Sequence, residues 1–225
     1  MKNQILTGFS LMFLLFAVYW PTQATAAPWF QPAGLSTGDT YQLAFVTSTT
    51  TNALDDDIAY YKGFVNTAAA NNSGLQNIDW HPIVSTENIN ANAAALVTHA
   101  VYNLGGLLVA NGYNDMWDGA LENPININEY EGTAERMVWT GSSTNGNGDP
   151  GHRLGESIYF ASVGYSKYTA HWMGSNTRQP QGQGSLYALS DPITASAVPI
   201  PGAIWLLGSG LACFGFTRRK IKLQR

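Results

Sequence analysis

The chain has 225 residues, with 15 acidic side chains, 11 basic ones and one cysteine, and a formal charge of −4 at pH 7. All 15 carboxylates lie between Asp39 and Asp191, but only five cations (Lys62, Arg136, Arg153, Lys167 and Arg178) lie there, so this stretch carries −10. Such a body repels nucleic acid and anionic lipid. With Cys213 as the lone cysteine, it also holds no disulfide, cysteine nucleophile or thiolate metal site.

Met1–Ala26 reads as a secretory signal peptide, with Lys2 as the charged start, an apolar core over Ile5–Trp20, a break at Pro21 and the small-residue site Ala24-Thr25-Ala26. An uncleaved N-terminal helix is the alternative. Residues 27–38, rich in Pro and Gly, read as a spacer before a globular domain over 39–191. Thr40–Thr47 alternates and is β-prone, which predicts the first strand. Asn52 is placed to cap a helix over Asp55–Ala70, with Ile58, Tyr61, Val65 and Ala68 on one stripe. Asp55, Asp56 and Asp57 then favour the first turn through the helix dipole, and on a helix they point about 100° apart, too divergent for one metal ion.

Gln76–Ser85 contains a second strand, where Pro82 demands an edge position or a bulge. A short Ala-rich helix over Ala91–His99 and a strand over Val101–Leu104 lead into a display loop that runs to Gly119. Further strands are expected over Met137–Gly141, Ser157–Val163 and Ser185–Ser190, separated by the Gly/Asn loop Ser142–Gly155, a polar aromatic segment over Tyr165–Trp172 and the loop Arg178–Gly184. Residues 192–197 read as a linker. This order predicts an α+β fold with two early helices, a mostly antiparallel sheet and long loops.

From Val198 onward the chain has three parts. Val198-Pro199-Ile200-Pro201 is stiff and extended, the uncharged apolar run Gly202–Thr217 follows, and Arg218, Arg219, Lys220, Lys222 and Arg225 close it. The run is shorter than the roughly 20 residues of a comfortable span, so it suits a temporary anchor with its cations on the cytoplasmic side. This tail resembles the PEP-CTERM sorting signal read by exosortases in Gram-negative bacteria that make exopolysaccharide. The matching residues are Val198, Pro199 and Pro201, the Ile204–Leu207 core, Gly208-Ser209-Gly210 and the end Arg218-Arg219-Lys220. Ile200 stands where the usual signal has glutamate, as in its VPxP variants. The resemblance implies a transient inner-membrane anchor, processing by signal peptidase and an exosortase, and a final place outside the cell or on its outer surface. An ordinary tail anchor is the alternative.

A second resemblance covers most of 38–191. The ordered set GDTYQLAFVTS at 38–48, VYNLGG at 101–106, MWDG at 116–119, VWTGSSTNG at 138–146 and SLYALS at 185–190 is similar to the C-type-lectin-like fold, in its endostatin-type branch. That implies a terminal strand closing on the first and a Trp-x-Gly strand preceding a Gly/Asn-rich loop. The cysteines that usually brace the fold are missing here.

Candidate sites follow from the loops. Tyr113, Asp115, Trp117 and Asp118 combine flat rings with acceptors, as sugar binding requires; the same rings also suit a core covered by a long loop. Asn145, Asn147, Asp149 and Glu156 place oxygens at alternate positions with a terminal Glu, a partial match to a calcium loop, although Pro150 stands where the sharp turn wants Gly. Asp115, Asp118 and Glu122 form a second carboxylate set. No cofactor is otherwise indicated. His81, His99, His152 and His171 lack metal-site spacing, and a G-x-S-x-G nucleophile elbow is missing from the body. The expected function is therefore that of an exported, non-catalytic surface or matrix protein, with extracellular polysaccharide as its partner. A secreted carbohydrate-active hydrolase and a tail-anchored periplasmic structural domain are the alternatives.

Overall fold

A computed structural model describes residues 30–197. The signal-peptide reading and the sorting-signal residues Val198, Pro199, Pro201, Arg218, Arg219 and Lys220 lie outside the described residues. Within them the fold is mixed α+β, with few helices and two sheets rich in antiparallel pairing. No helix among the described residues is long and apolar enough to cross a membrane.

The larger sheet is organised around β1 (Thr40–Val46), which is buried along nearly its whole length. Alternation sends Tyr41, Leu43 and Phe45 into one core and Ala44 and Val46 into another, so one strand serves two hydrophobic layers. On one side β1 pairs in parallel with β3 (Ala100–Asn103), which pairs with β4 (Leu108–Ala110). On the other it pairs antiparallel with β8 (Tyr187–Ser190), which pairs with the edge strand β2 (Trp80–Pro82). Pro82 thus sits on an edge, as its missing N–H requires.

The first layer is closed by α1 (Ile58–Ala70), whose Tyr61, Val65, Ala68 and Ala69 are buried. The helix starts later than expected. Asp57 is its N-cap, accepting from the Ala59 N–H at 2.9 Å, and Asp55 accepts from the Asp57 N–H at 2.8 Å. Asn52 instead makes a local turn with Leu54. A serial pair of Asx turns thus displaces the first helical turn, because each short carboxylate competes for the backbone N–H groups just ahead of it. Asn66 then docks α1 on the sheet edge: its amide donates to the Trp80 carbonyl at 2.7 Å and accepts from the Trp80 N–H at 3.1 Å. One side chain therefore stands in for a missing neighbour strand and blunts that edge.

Three other expectations need correction. The helix at Ala91 lasts one turn, α2 (Ala91–Ala94), since Leu96 adopts a positive φ of 55°. The spacer and the linker both belong to the fold. Phe30 is buried, the Gln31 side chain bonds Ser196 in both directions, and β9 (Ile193–Thr194) returns to pair with β1. Between β8 and β9, Ser190 Oγ accepts the Leu43 N–H at 2.8 Å and the Gln42 amide reaches the Ser190 carbonyl at 2.8 Å. Side chains thus satisfy the Leu43 N–H and the Ser190 carbonyl where the ladder is interrupted between β8 and β9.

The smaller sheet is β5 (Met137–Trp139), β6 (Ala161–Tyr165) and β7 (Asn176–Arg178), all antiparallel. Strand β6 begins four residues later than the expected Ser157, and β7 falls where no strand was expected. Burial raises the Tyr187 hydroxyl far above the ordinary phenol value, and its O–H donates to the Trp172 carbonyl at 3.1 Å.

Candidate functional site: a cleft on the three-stranded sheet

The register of the smaller sheet places Met137 and Trp139 of β5, Ala161 of β6 and Arg178 of β7 on one face. Trp139 is fully buried beneath that face. Its indole N–H donates to the Thr51 carbonyl at 2.9 Å, and Gly184 lies so close that a β-carbon there would stand 2.7 Å from the indole nitrogen. The ring is therefore a rigid floor. Above it opens a cleft of about 460 Å³ whose walls include Phe160, Thr177, Arg178 and Gln179.

The residues ahead of β6 turn outward. Ser157 Oγ accepts the Tyr159 N–H at 3.1 Å, and the Gln181 amide donates to the Ile158 carbonyl at 2.9 Å. Ile158, Tyr159 and Phe160 are consequently 64 %, 68 % and 50 % exposed. The β-prone apolar run was expected to form a strand from Ser157; instead its first half is exposed, and Phe160 lines the cleft. Three adjacent large apolar side chains this exposed are uncommon away from binding surfaces.

Of the sugar-contact residues proposed from sequence, Tyr113 and Trp117 meet edge-on with ring centroids 6.4 Å apart, but they differ in exposure. Tyr113 and Asp115 lie on α3 (Tyr113–Met116), and Tyr113 is 48 % exposed. Trp117 is only 7 % exposed, stacked 5.8 Å from Trp172, and belongs to the second core layer. Gly146 seals it: a β-carbon there would meet the indole at 2.4 Å, so the Gly/Asn loop lies directly on the ring. Trp117 is thus no stacking platform. Asp115 accepts the Asn111 N–H and Asp118 that of Ala120, so both carboxylates serve turns.

The calcium-loop residues are likewise committed within the protein. Asn145 Oδ1 accepts the Asn147 N–H at 3.1 Å, and Asn147 Oδ1 accepts the Asn92 amide at 3.1 Å. Asp149 Oδ2 accepts the Ser162 hydroxyl and is 3.2 Å from His152 Nδ1. Glu156 Oε2 accepts the N–H groups of Gly151 and Arg153. A calcium ion needs six to eight converging oxygens, whereas here one oxygen of each of these four side chains already accepts a protein donor. The residues do not fit the ion. Asp149 also sits between Ser162 and His152, the wrong order for a Ser-His-Asp relay, which needs the imidazole in the middle.

One cluster escaped sequence reasoning. The pairing of Trp80 with Ser190 sets Asp79 opposite Asp191, and His81 joins them from β2. Among the described residues these three form a group of acid and imidazole ligands within 4.8 Å of one another. His81 Nε2 is 2.8 Å from Asp191, and Lys62 Nζ is 2.7 Å from Asp79. The hydrogen bond from Lys62 holds the Asp79 carboxyl below the ordinary carboxylate range. With the ammonium already in place, the group acts as a clasp joining α1, β2 and β8. The only signal in the sequence was Asp79-x-His81, two residues on one strand face; Asp191 lies 110 residues from His81.

The chain matches no protein-family model and no curated protein sequence.

Proposed function

We propose that the chain is an exported, non-catalytic surface or matrix protein whose lectin-like body binds glycan through the cleft on the smaller sheet. The observation that carries this reading is the pairing of the exposed Phe160 ring with the hydrogen-bonding side chains of Thr177, Arg178 and Gln179 around one opening. Sugars present apolar C–H faces that stack on rings and hydroxyls that need donors and acceptors, and the cleft offers both. The antiparallel closure of β8 on β1, and Trp139-Thr140-Gly141 leading into the Gly/Asn loop, support the lectin-like assignment. On this reading the termini are addresses removed by signal peptidase and an exosortase after a transient inner-membrane stage.

A polysaccharide pull-down with the purified chain in mild detergent, with product release followed in the same tubes, tests the proposal. Retention without release of sugar is expected, and Phe160→Ala weakens it. Release of oligosaccharide would favour the hydrolase; absence of retention on every polysaccharide tried would sink the glycan reading.

A further inference from the structure

Accepting the cleft as a glycan site, we infer that it selects acidic sugars, and that the Arg178 guanidinium receives a uronate carboxylate there. Of the five body cations, Lys62 faces Asp79 at 2.7 Å, Arg153 faces Glu156 at 3.7 Å and Lys167 faces Glu135 at 3.6 Å. Among the described residues Arg178 has no carboxylate within 4.0 Å, although the body holds 15 of them. The cleft walls include this one cation and no acid. A body with three acids for every base has left its cleft free of acids and stationed an uncommitted guanidinium there.

Geometry gives the cation a direction. Arg178 lies on β7, the free edge of the smaller sheet, and shares the face of Trp139 and Met137. A sugar stacked against Phe160 would have its ring substituents within the same opening as the guanidinium. Arginine's planar fork matches a carboxylate with two parallel N–H···O bonds, which a sugar hydroxyl cannot reproduce. The net charge of −10 cannot supply the selectivity, because its diffuse field repels polyanions. Preference for an acidic glycan must therefore be local, and Arg178 is the residue placed to give it.

The test uses the purified chain and a panel of oligouronates (mannuronate, guluronate, galacturonate and glucuronate types), each paired with its carboxyl-reduced counterpart, with affinities read by calorimetry. At least one acidic member should bind roughly three- to tenfold more tightly than its reduced partner, the range of a partly screened, bidentate ion pair. Arg178→Gln should erase that ratio, weakening the acidic sugar by more than its reduced partner, and Arg178→Lys should restore part of it. Arg136→Gln removes an equal charge from a residue that also lacks a carboxylate partner and is not among the cleft walls. It should leave the ratio intact. Equal binding of acidic and reduced sugars, or a ratio unmoved by Arg178→Gln, overturns the selectivity and leaves the glycan site standing. Binding of no sugar in either form overturns the glycan reading and this inference with it.

Discussion

Replacing Gly164 by alanine adds one methyl group to the middle of β6, where it has nowhere to go. A β-carbon on Gly164 would lie 1.7 Å from the Trp172 carbonyl oxygen, 2.3 Å from its carbon and 2.7 Å from Met173 Cα. All three are backbone atoms, so no rotamer change relieves the contact. The strand cannot slide away either: Gly164 is held in register against Val138, and its neighbours bond to the 171–175 segment through Tyr165 N–H to His171 and Ser175 N–H to Val163. Overpacking a core by a methylene costs about 1–3 kcal/mol when side chains can yield. Here the backbone must move by more than an ångström, so about 3 kcal/mol or more is expected, a lowering of Tm by roughly 6–12 °C for a domain of this size. The identical change at Gly63 has the opposite sign. That residue is exposed within α1 and a β-carbon there meets nothing within 4 Å, so Gly63→Ala should add about 1 kcal/mol of helix propensity and raise Tm by roughly 2–4 °C. Thermal melts followed by circular dichroism compare the two. If Gly164→Ala melts at or above the parent temperature, the crossing of β6 by the Trp172–Met173 backbone is wrong.

Two further outcomes follow from the side-chain contacts. Lys62 holds the folded Asp79 carboxyl below its unfolded value near 4, so the pair contributes fully above about pH 4 and its contribution is lost as pH falls through the folded value. Both partners are over 40 % exposed, so Lys62→Met should lower Tm by only about 1–2 °C at pH 7. That deficit should vanish near pH 2, and a deficit surviving there would show that lost packing, not charge, is its source. Because Asn145, Asn147, Asp149 and Glu156 already accept protein donors, millimolar calcium or chelator should leave Tm within about 1 °C. A micromolar site would shift it by several degrees, and such a shift would refute this account of the loop.

Local features of the chain were legible in its residues. β1, with its alternation from Thr40, begins where predicted; Pro82 is on an edge; the helical stripe of Tyr61, Val65 and Ala68 faces the core. The start of α1 was misplaced because Asn52 and the three aspartates are all good caps, and only the docking of Tyr61, whose hydroxyl reaches the Asp55 carbonyl at 2.7 Å, selects Asp57. β7 and β9 were missed because Asn-Thr-Arg and Ile-Thr are too short to show a period; they are strands because partners lie beside them.

What the amino acids determined alone was composition and pattern: an acidic, thiol-free body, its class, and which stretches alternate. Whether a ring is core or surface was settled by tertiary contact. Trp117 and Phe160 both lie beside polar loops in sequence, yet Gly146 allows the backbone down onto the first, while Ser157 and Gln181 hold the second outward. Likewise, the Asp79–His81–Asp191 clasp and the placement of Arg178 on the sheet face of Trp139 join residues that no local window contains. Burial is a property of what packs against a residue, and for these side chains the partner is supplied from far along the chain.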